Sequence, residues 1–380
     1  MRWGLVGGGR GSQIGGAHRI AAAMDGHFEL AAAALDADPQ CGREFARELR
    51  VSADRSYGDW REMLEQESAL PPERRLDLVT VATPNVTHYE ITKAFLKGGF
   101  NVLCEKPLSM TIQEAEDLRK VAQMSGRVGA VNFGYSGYPM AVQAREMIRQ
   151  GDLGDVRVVV AEFALGAHAG GDDDDNPRVR WRYDPAQAGI SSVVNDLGSH
   201  AFHMAQFMTG QTVERVAAQF DHCVATRKLE DDAFVACRFS GGAVGRFWMS
   251  AVASGQQHGF GIRIFGSKGA IRWHQEYPNQ LYWSPVDGPT QLFERGAEYL
   301  YPTAVNASRV AIGHAEGFLE AFGNIYKAIH AHLSGSKGGD AQLTFPTIAE
   351  GADLVRVIFA SAKSASEGGS WVSVKDVTPA

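Results

Sequence analysis

The chain has 380 residues, 44% of them hydrophobic, which leaves room for about two domains with substantial cores and argues against disorder as the default reading. The net charge is -7 with no long basic run, which argues against nucleic acid or an anionic membrane surface as the main partner. Cys41, Cys104, Cys223 and Cys237 are widely spaced and form no C-x-x-C pair, so a reduced, cytoplasmic protein is expected. The opening residues enter a strand pattern with no cationic leader, and no apolar run approaches the roughly 20 residues of a membrane span.

Residues 2–6 form a short apolar strand that ends in glycines. Residues 28–36 (FELAAAALD) are a second strand candidate, although their alanines suit a helix equally. Residues 76–84 (LDLVTVATP) read as a buried strand, and a helical pattern follows over 86–99. The stretch FNVLCEKP over 100–107 precedes a helix over 111–126 and a strand over 127–133. This alternation predicts a parallel, doubly wound sheet within a domain spanning 1–130. Residues 67–75 (ESALPPERR) are polar and contain proline, the pattern of a surface loop.

Beyond 130 the rhythm changes. A helix over 139–151 leads to an apolar strand over 155–165, then a loop from 166 to about 189 and a helix over 191–210. Strand patterns follow in succession at 213–220, 232–239, 243–252 and 261–273, the last containing the hairpin signal GSKG. Two helices, over 313–333 and 347–365, close the chain. Strands in a run flanked by helices predict an α+β domain over 131–380, built on a large, open, mostly antiparallel sheet.

The first turn, GLVGGGRGSQIGGAHR, carries chemistry. Gly7 and Gly9 fit the first two positions of G-x-G-x-x-G, where one glycine makes the tight turn and the next admits a pyrophosphate. Strict spacing puts Ser12 at the third position, and a three-residue insertion puts Gly15 there. In either register a helix N-terminus is available for phosphate. Asp36 ends the second strand, 21 residues beyond Gly15, placed to hydrogen-bond an adenosine ribose. No arginine follows at position 37, so NAD is favoured over NADP. The plainer reading is a structural glycine turn and a turn aspartate; strand, helix, second strand and terminal aspartate in order favour the cofactor. Pro84, Asn85 and His88 follow the strand at 76–84, on the edge where such sheets bind ligands. Alone, they are equally consistent with a capped helix start and a surface histidine. Glu105 and Lys106 are delivered at the end of an apolar strand that Pro107 stops.

Together GLVGGG, ATPN..H, CEKPL and NDLGSHAFH resemble the Gfo/Idh/MocA family of nicotinamide-dependent oxidoreductases of sugars, cyclitols and related polyols. The resemblance covers nearly the whole chain. It implies an N-terminal Rossmann domain and a C-terminal domain whose open sheet face pairs subunits into a dimer or tetramer. It further implies that Lys106 is the active-site lysine, that Glu105 holds the nicotinamide ribose region, and that the Lys106–Pro107 bond is cis. Asp196 and His200 would complete the catalytic group, and Asn85 and His88 would line the nicotinamide end. His314 would reach the sugar pocket.

The chemistry agrees. Oxidising an alcohol with NAD needs a base for the hydroxyl proton, and histidine titrates near neutrality. Asp196 and His200 are four residues apart and share a face on a helix. Lys106 lowers the cost of developing alkoxide charge. His200 is therefore the expected acid/base, Lys106 its electrostatic and relay partner, and Asp196 the orienter, with Lys106 and His200 able to exchange roles. His203, one turn on, reads as core packing, and the nicotinamide reading accounts for these residues without a metal. The loop residues Arg178, Arg180 and Arg182 beside the acid block at 172–175 read as a solvated loop or as a lid. Trp181, Tyr183, Tyr135 and Tyr138 read as pocket walls or as packing. Rival readings are a redox-neutral glycosidase that retains NAD, and a non-catalytic NAD- and sugar-binding regulator. Fold alone leaves the substrate open.

Overall fold

The computed structural model describes residues 1–170, 176–336 and 342–378. Its first half holds five strands, β1 Arg2–Gly7, β2 Glu29–Ala34, β3 Leu78–Ala82, β4 Val102–Cys104 and β5 Gly129–Val131, in the order β2-β1-β3-β4-β5. Every neighbouring pair is parallel. Helices α1 Gln13–Ala23, α2 Pro39–Glu48, α3 Trp60–Ala69, α4 His88–Lys97 and α5 Ile112–Ser125 occupy the crossovers. Leu5, Val79, Val81, Val102 and Leu103 are fully buried, as strands covered on both faces require. The ambiguous alanines resolve as β2: Ala32 and Ala33 are sealed against β1, and that pairing overrides alanine's helix propensity.

The polar segment at 67–75 departs from a simple surface loop at its first residue. Glu67 lies in the last turn of α3, fully buried, ion-paired with Arg55 at 2.6 Å and accepting from the Tyr57 hydroxyl at 2.8 Å. Pairing offsets the cost of removing its charge from water.

The second half contributes β6 Val156–Ala164, β7 Val213–Asp221, β8 Asp232–Phe239, β9 Val244–Ser250, β10 Gly259–Gly266, β11 Gly269–His274, β12 Gln280–Pro285, β13 Gln291–Glu294 and β14 Val372–Ser373. They form one sheet in the order β13-β12-β11-β10-β6-β9-β8-β7-β14. The pair β6–β9 is parallel and the others are antiparallel. The helices are α6 Pro139–Arg149, α7 Pro177–Arg180, α8 Pro185–Ala188, α9 Ser199–Thr209, α10 Pro302–Asn306, α11 Phe318–Leu333 and α12 Ile348–Ser366. The GSKG signal is the turn between β10 and β11. Alternation along β8 and β9 buries Ala233, Val235, Cys237, Phe247 and Met249 on one face. The opposite face leaves the registered pair Phe234 and Trp248 exposed by 43% and 37%.

The closing helices join the halves. α11 runs along α1 of the first half, and α12 lies between α5 and β7. Capping boxes at Thr111 and Thr347 start α5 and α12, each threonine taking the N–H of a glutamate three residues on.

Candidate active site

A cavity of about 1130 Å³ lies where the carboxyl ends of the parallel strands meet the second sheet. The glycine turn forms one end. Gly7 and Gly8 adopt φ of +78° and +66°, and a Cβ on Gly7 would stand 2.5 Å from the Ala82 carbonyl oxygen. Both candidate third positions have a use. Ser12 caps α1, its hydroxyl accepting from the Gly15 N–H at 3.0 Å. Gly15 lets α1 press on the turn, since a Cβ there would stand 2.3 Å from the Gly8 Cα. Gly7, Gly9, Ser12 and Asp36 line the cavity, while Gly15 supports it from behind. The absence of side chains on the turn, the start of α1 and a carboxylate at the end of β2 together fit a dinucleotide.

Pro84, Asn85 and His88 also line the cavity. His88 is neither a surface group nor a free ligand. Its ring is buried, with Nδ1 2.7 Å from the Pro107 carbonyl and Nε2 2.9 Å from the Thr83 carbonyl. Burial pulls its pKa down, although both carbonyls favour the protonated ring. It ties the β3 turn to the Lys106–Pro107 turn, whose peptide bond is cis.

Glu105 belongs to a buried chain of polar groups. Its Oε1 takes His18 Nε2 at 2.9 Å and Asn132 Nδ2 at 2.5 Å, and its Oε2 takes the Lys106 N–H at 3.0 Å. His18 Nδ1 meets the Tyr326 hydroxyl at 2.8 Å, Tyr326 meets Thr80 Oγ1 at 2.9 Å, and Trp3 Nε1 donates to Thr80 at 2.9 Å. Burial alone would raise the Glu105 carboxyl; His18, Asn132 and Lys106 hold it below its usual value. Among the described residues, the buried Oδ1 of Asn132 has no partner beside the cavity.

The second half supplies the facing wall. A π-turn, Val194–Gly198, precedes α9 and carries Asp196. Asp196 Oδ1 accepts a short hydrogen bond from Lys106 Nζ, which also reaches the Asp196 carbonyl at 3.2 Å. Arg182 Nε stands 3.4 Å from Asp196 Oδ2. Burial would raise the Asp196 carboxyl, but Lys106 and Arg182 outweigh it and hold it well below the carboxylate range. His200 lies beside this pair; burial, then Lys106, drives its pKa well below the histidine value despite Asp196. Its ring is therefore neutral, with a buried Nδ1 that has no hydrogen-bond partner among the described residues. Tyr135 packs edge-on at 4.6 Å between ring centroids. An ionised acid, a lysine and a neutral imidazole converge on one end of the cavity, which is what moving a proton off a hydroxyl needs.

Other expected positions divide. Tyr135 and Trp181 line the cavity, and Arg182 stacks on Trp181 at 4.5 Å. Tyr183 turns inward to bond His168 Nδ1 at 2.9 Å, and Tyr138 packs against Trp273. His203 stacks on Phe133 at 4.4 Å, and burial pushes its pKa down to about 3, in keeping with core packing. His314 is corrected: it is exposed and outside the cavity, because Arg295, paired with buried Glu316, holds the His314 carbonyl and turns the loop away. The acid block at 172–175 and the Arg178 side chain lie outside the described residues. Sequence reasoning missed His18, Asn132 and Tyr326; His18 stood within the glycine-turn segment, but nothing local announced its partners. It also missed His258 and Gln275, cavity residues from the second sheet. Among the described residues no group of three His, Cys, Asp or Glu is placed to hold a metal ion.

Residues 1–133 match the family model described as an oxidoreductase family with an NAD-binding Rossmann fold, and residues 141–272 match the GFO/IDH/MocA C-terminal domain. The chain belongs to the Gfo/Idh/MocA oxidoreductase family. An oxidoreductase of Bacillus subtilis, YfiI, is 37% identical over 99% of this chain and 97% of its own. Levoglucosan dehydrogenase of Pseudarthrobacter phenanthrenivorans is 25% identical over 99% and 98%. An inositol dehydrogenase homologue from Azotobacter vinelandii, solved with NADH and myo-inositol, superposes with a TM-score of 0.90 at 40% identity, covering 98% of this chain and 97% of that one. The same homologue with NAD+ gives 0.92 at 41%, with the same coverage. The first half is thus an NAD-binding Rossmann domain, and the doubly wound sheet and large mostly antiparallel sheet expected from the strand patterns are both present. Among the described residues, no helix is long and apolar enough to cross a membrane.

Proposed function

We propose that the chain interconverts a secondary alcohol and a ketone on a sugar, cyclitol or related polyol, with NAD as hydride carrier. The convergence of Lys106, Asp196 and His200 at the end of the cavity opposite the glycine turn carries this reading. NAD, when bound, supplies the hydride acceptor. Gly7, Gly9, Ser12 and the start of α1 would hold its phosphates, Asp36 its adenosine ribose, and Pro84, Asn85 and Glu105 its nicotinamide half. His200, kept neutral, accepts the substrate hydroxyl proton. Lys106, held by Asp196, stabilises the oxygen as charge develops. Asp196 and Arg182 fix the lysine's direction, and Trp181 and Tyr135 form apolar walls for a ring. The exposed Phe234 and Trp248 support pairing of subunits through the open sheet face.

The test is NADH formation from NAD, and separately NADP, across sugars, inositols and sugar acids, with Lys106→Ala as control. Turnover with NAD that vanishes in the variant supports the dehydrogenase. Bound NAD with no turnover on the whole panel would favour a redox-neutral glycosidase or a sensor.

A further inference from the structure

The cavity has a second polar cluster that the hydride-transfer group does not use. His258 stands just before β10, and Gln275 just after β11. These strand ends lie side by side, with the Gln275 N–H donating to the Phe260 carbonyl at 2.9 Å. Both residues line the cavity on the sheet side. His258 Nε2 is 2.7 Å from the Tyr135 hydroxyl, and no bond to its other ring nitrogen forms among the described residues. Gln275 has a buried side-chain oxygen without a partner among the described residues, and its nitrogen reaches the Tyr138 hydroxyl only at 3.4 Å. Tyr135 touches both imidazoles, its ring 4.6 Å from His200 and 6.3 Å from His258. Phe163 sits 6.3 Å and 5.0 Å from the same two rings.

We propose that His258, oriented by Tyr135 and seconded by Gln275, forms a specificity subsite for an uncharged hydroxyl remote from the carbon oxidised at His200. Burial keeps Tyr135 a phenol and lowers His258, against the pull of Glu276 and Asp196. The tyrosine–histidine pair then holds one mobile hydrogen-bond direction. If the phenol donates to Nε2, Nδ1–H donates outward; if Nε2–H donates to the phenol, Nδ1 accepts. A hydroxyl can answer either arrangement, whereas among the described residues no lysine or arginine is bonded to His258 or Gln275 to meet a carboxylate. The substrate class narrows to a neutral ring polyol, a cyclitol or pyranose, with a second hydroxyl across the ring.

This inference rests on the dehydrogenase reading, and the test separates the two. The wild type, His258→Ala and His258→Gln are assayed with NAD on myo-inositol, common pyranoses, their monodeoxy analogues and glucuronate, with NADH binding by fluorescence as a check of fold. His258→Ala is expected to raise KM for the preferred polyol by about 10- to 100-fold, with a smaller fall in kcat. One monodeoxy analogue that the wild type rejects should become as good as its parent in that variant, and His258→Gln should restore part of the preference. Unchanged discrimination in His258→Ala, or a wild-type preference for glucuronate, would overturn the subsite while leaving the dehydrogenase intact. Bound NADH with no turnover of any compound would overturn both.

Discussion

Replacing Lys106 with methionine removes a charge but keeps the length of the side chain, and three consequences follow from its neighbours. Lys106 pairs with Asp196, the two side chains being 17% and 36% exposed. Breaking a fully buried pair costs about 3–5 kcal/mol; partial exposure and the remaining Arg182 at 3.4 Å reduce this to about 1–3 kcal/mol of stability. The second consequence is catalytic: losing one preorganised charge aimed at a developing oxyanion costs about 100- to 1,000-fold in kcat. The third fixes the assay. His200 is lowered first by burial, then by Lys106, and raised by Asp196. Removing Lys106 takes away one lowering influence and leaves burial, Asp196, His203 and His258, so the His200 pKa must rise. Since the neutral ring is the base, the acid limb of kcat for oxidation lies below the ordinary histidine value in the wild type and moves upward in Lys106→Met. The profile of kcat against pH, with thermal unfolding alongside, checks all three. A fall in kcat of less than tenfold, or an acid limb that stays or moves downward, would refute the assigned roles.

Gly15→Ala is expected to weaken NAD binding and destabilise by about 1–3 kcal/mol, because the new Cβ would stand 2.3 Å from the Gly8 Cα; isothermal titration with NAD and thermal unfolding read both effects. Glu105 is held below its ordinary pKa by His18, Asn132 and Lys106, against burial. Its contribution is thus present above the unfolded value of about 4.3 and lost as pH falls through the folded one. Chemical denaturation between pH 6 and pH 3.5 should show a steeper loss for the wild type than for Glu105→Gln, and equal slopes would contradict the pairing. Trp248→Glu, on the open face of the second sheet, should shift the chain toward monomer in light scattering, while a wild-type monomer would rule out that interface.

Features set by local backbone requirements were legible before any fold was in view. A tight turn admits only glycine at Gly7, an aspartate just beyond β2 needs only the strand before it, and Pro107 cannot extend a strand, whose last paired residue is Cys104. Lys106, Asp196 and His200 were legible as candidates because each sits in a short motif near an element's end, and all three line the same cavity. Spacing was less informative at the third glycine position, where Ser12 and Gly15 divide the work between capping and close approach. The place in the sugar pocket that the resemblance implied for His314 does not appear, since its loop is held by Arg295 and Glu316, residues no local pattern connects.

The sequence by itself determined the alternating first half, the strand-rich second half, the cofactor turn and the chemical types at the strand ends. Those follow from periodicity and from backbone geometry within about a dozen residues. Tertiary structure alone decided which of those groups meet. Tyr326 reaches His18 across 308 residues, Asn132 reaches Glu105, Arg182 reaches Asp196, and His258 reaches Tyr135. Side-chain hydrogen bonds act over about 3 Å, so they form only after α11 returns to α1 and the second sheet closes over the parallel strands. Burial, which sets the ionisation of Glu105, Asp196 and His200, likewise belongs to the assembled cavity rather than to any stretch of chain.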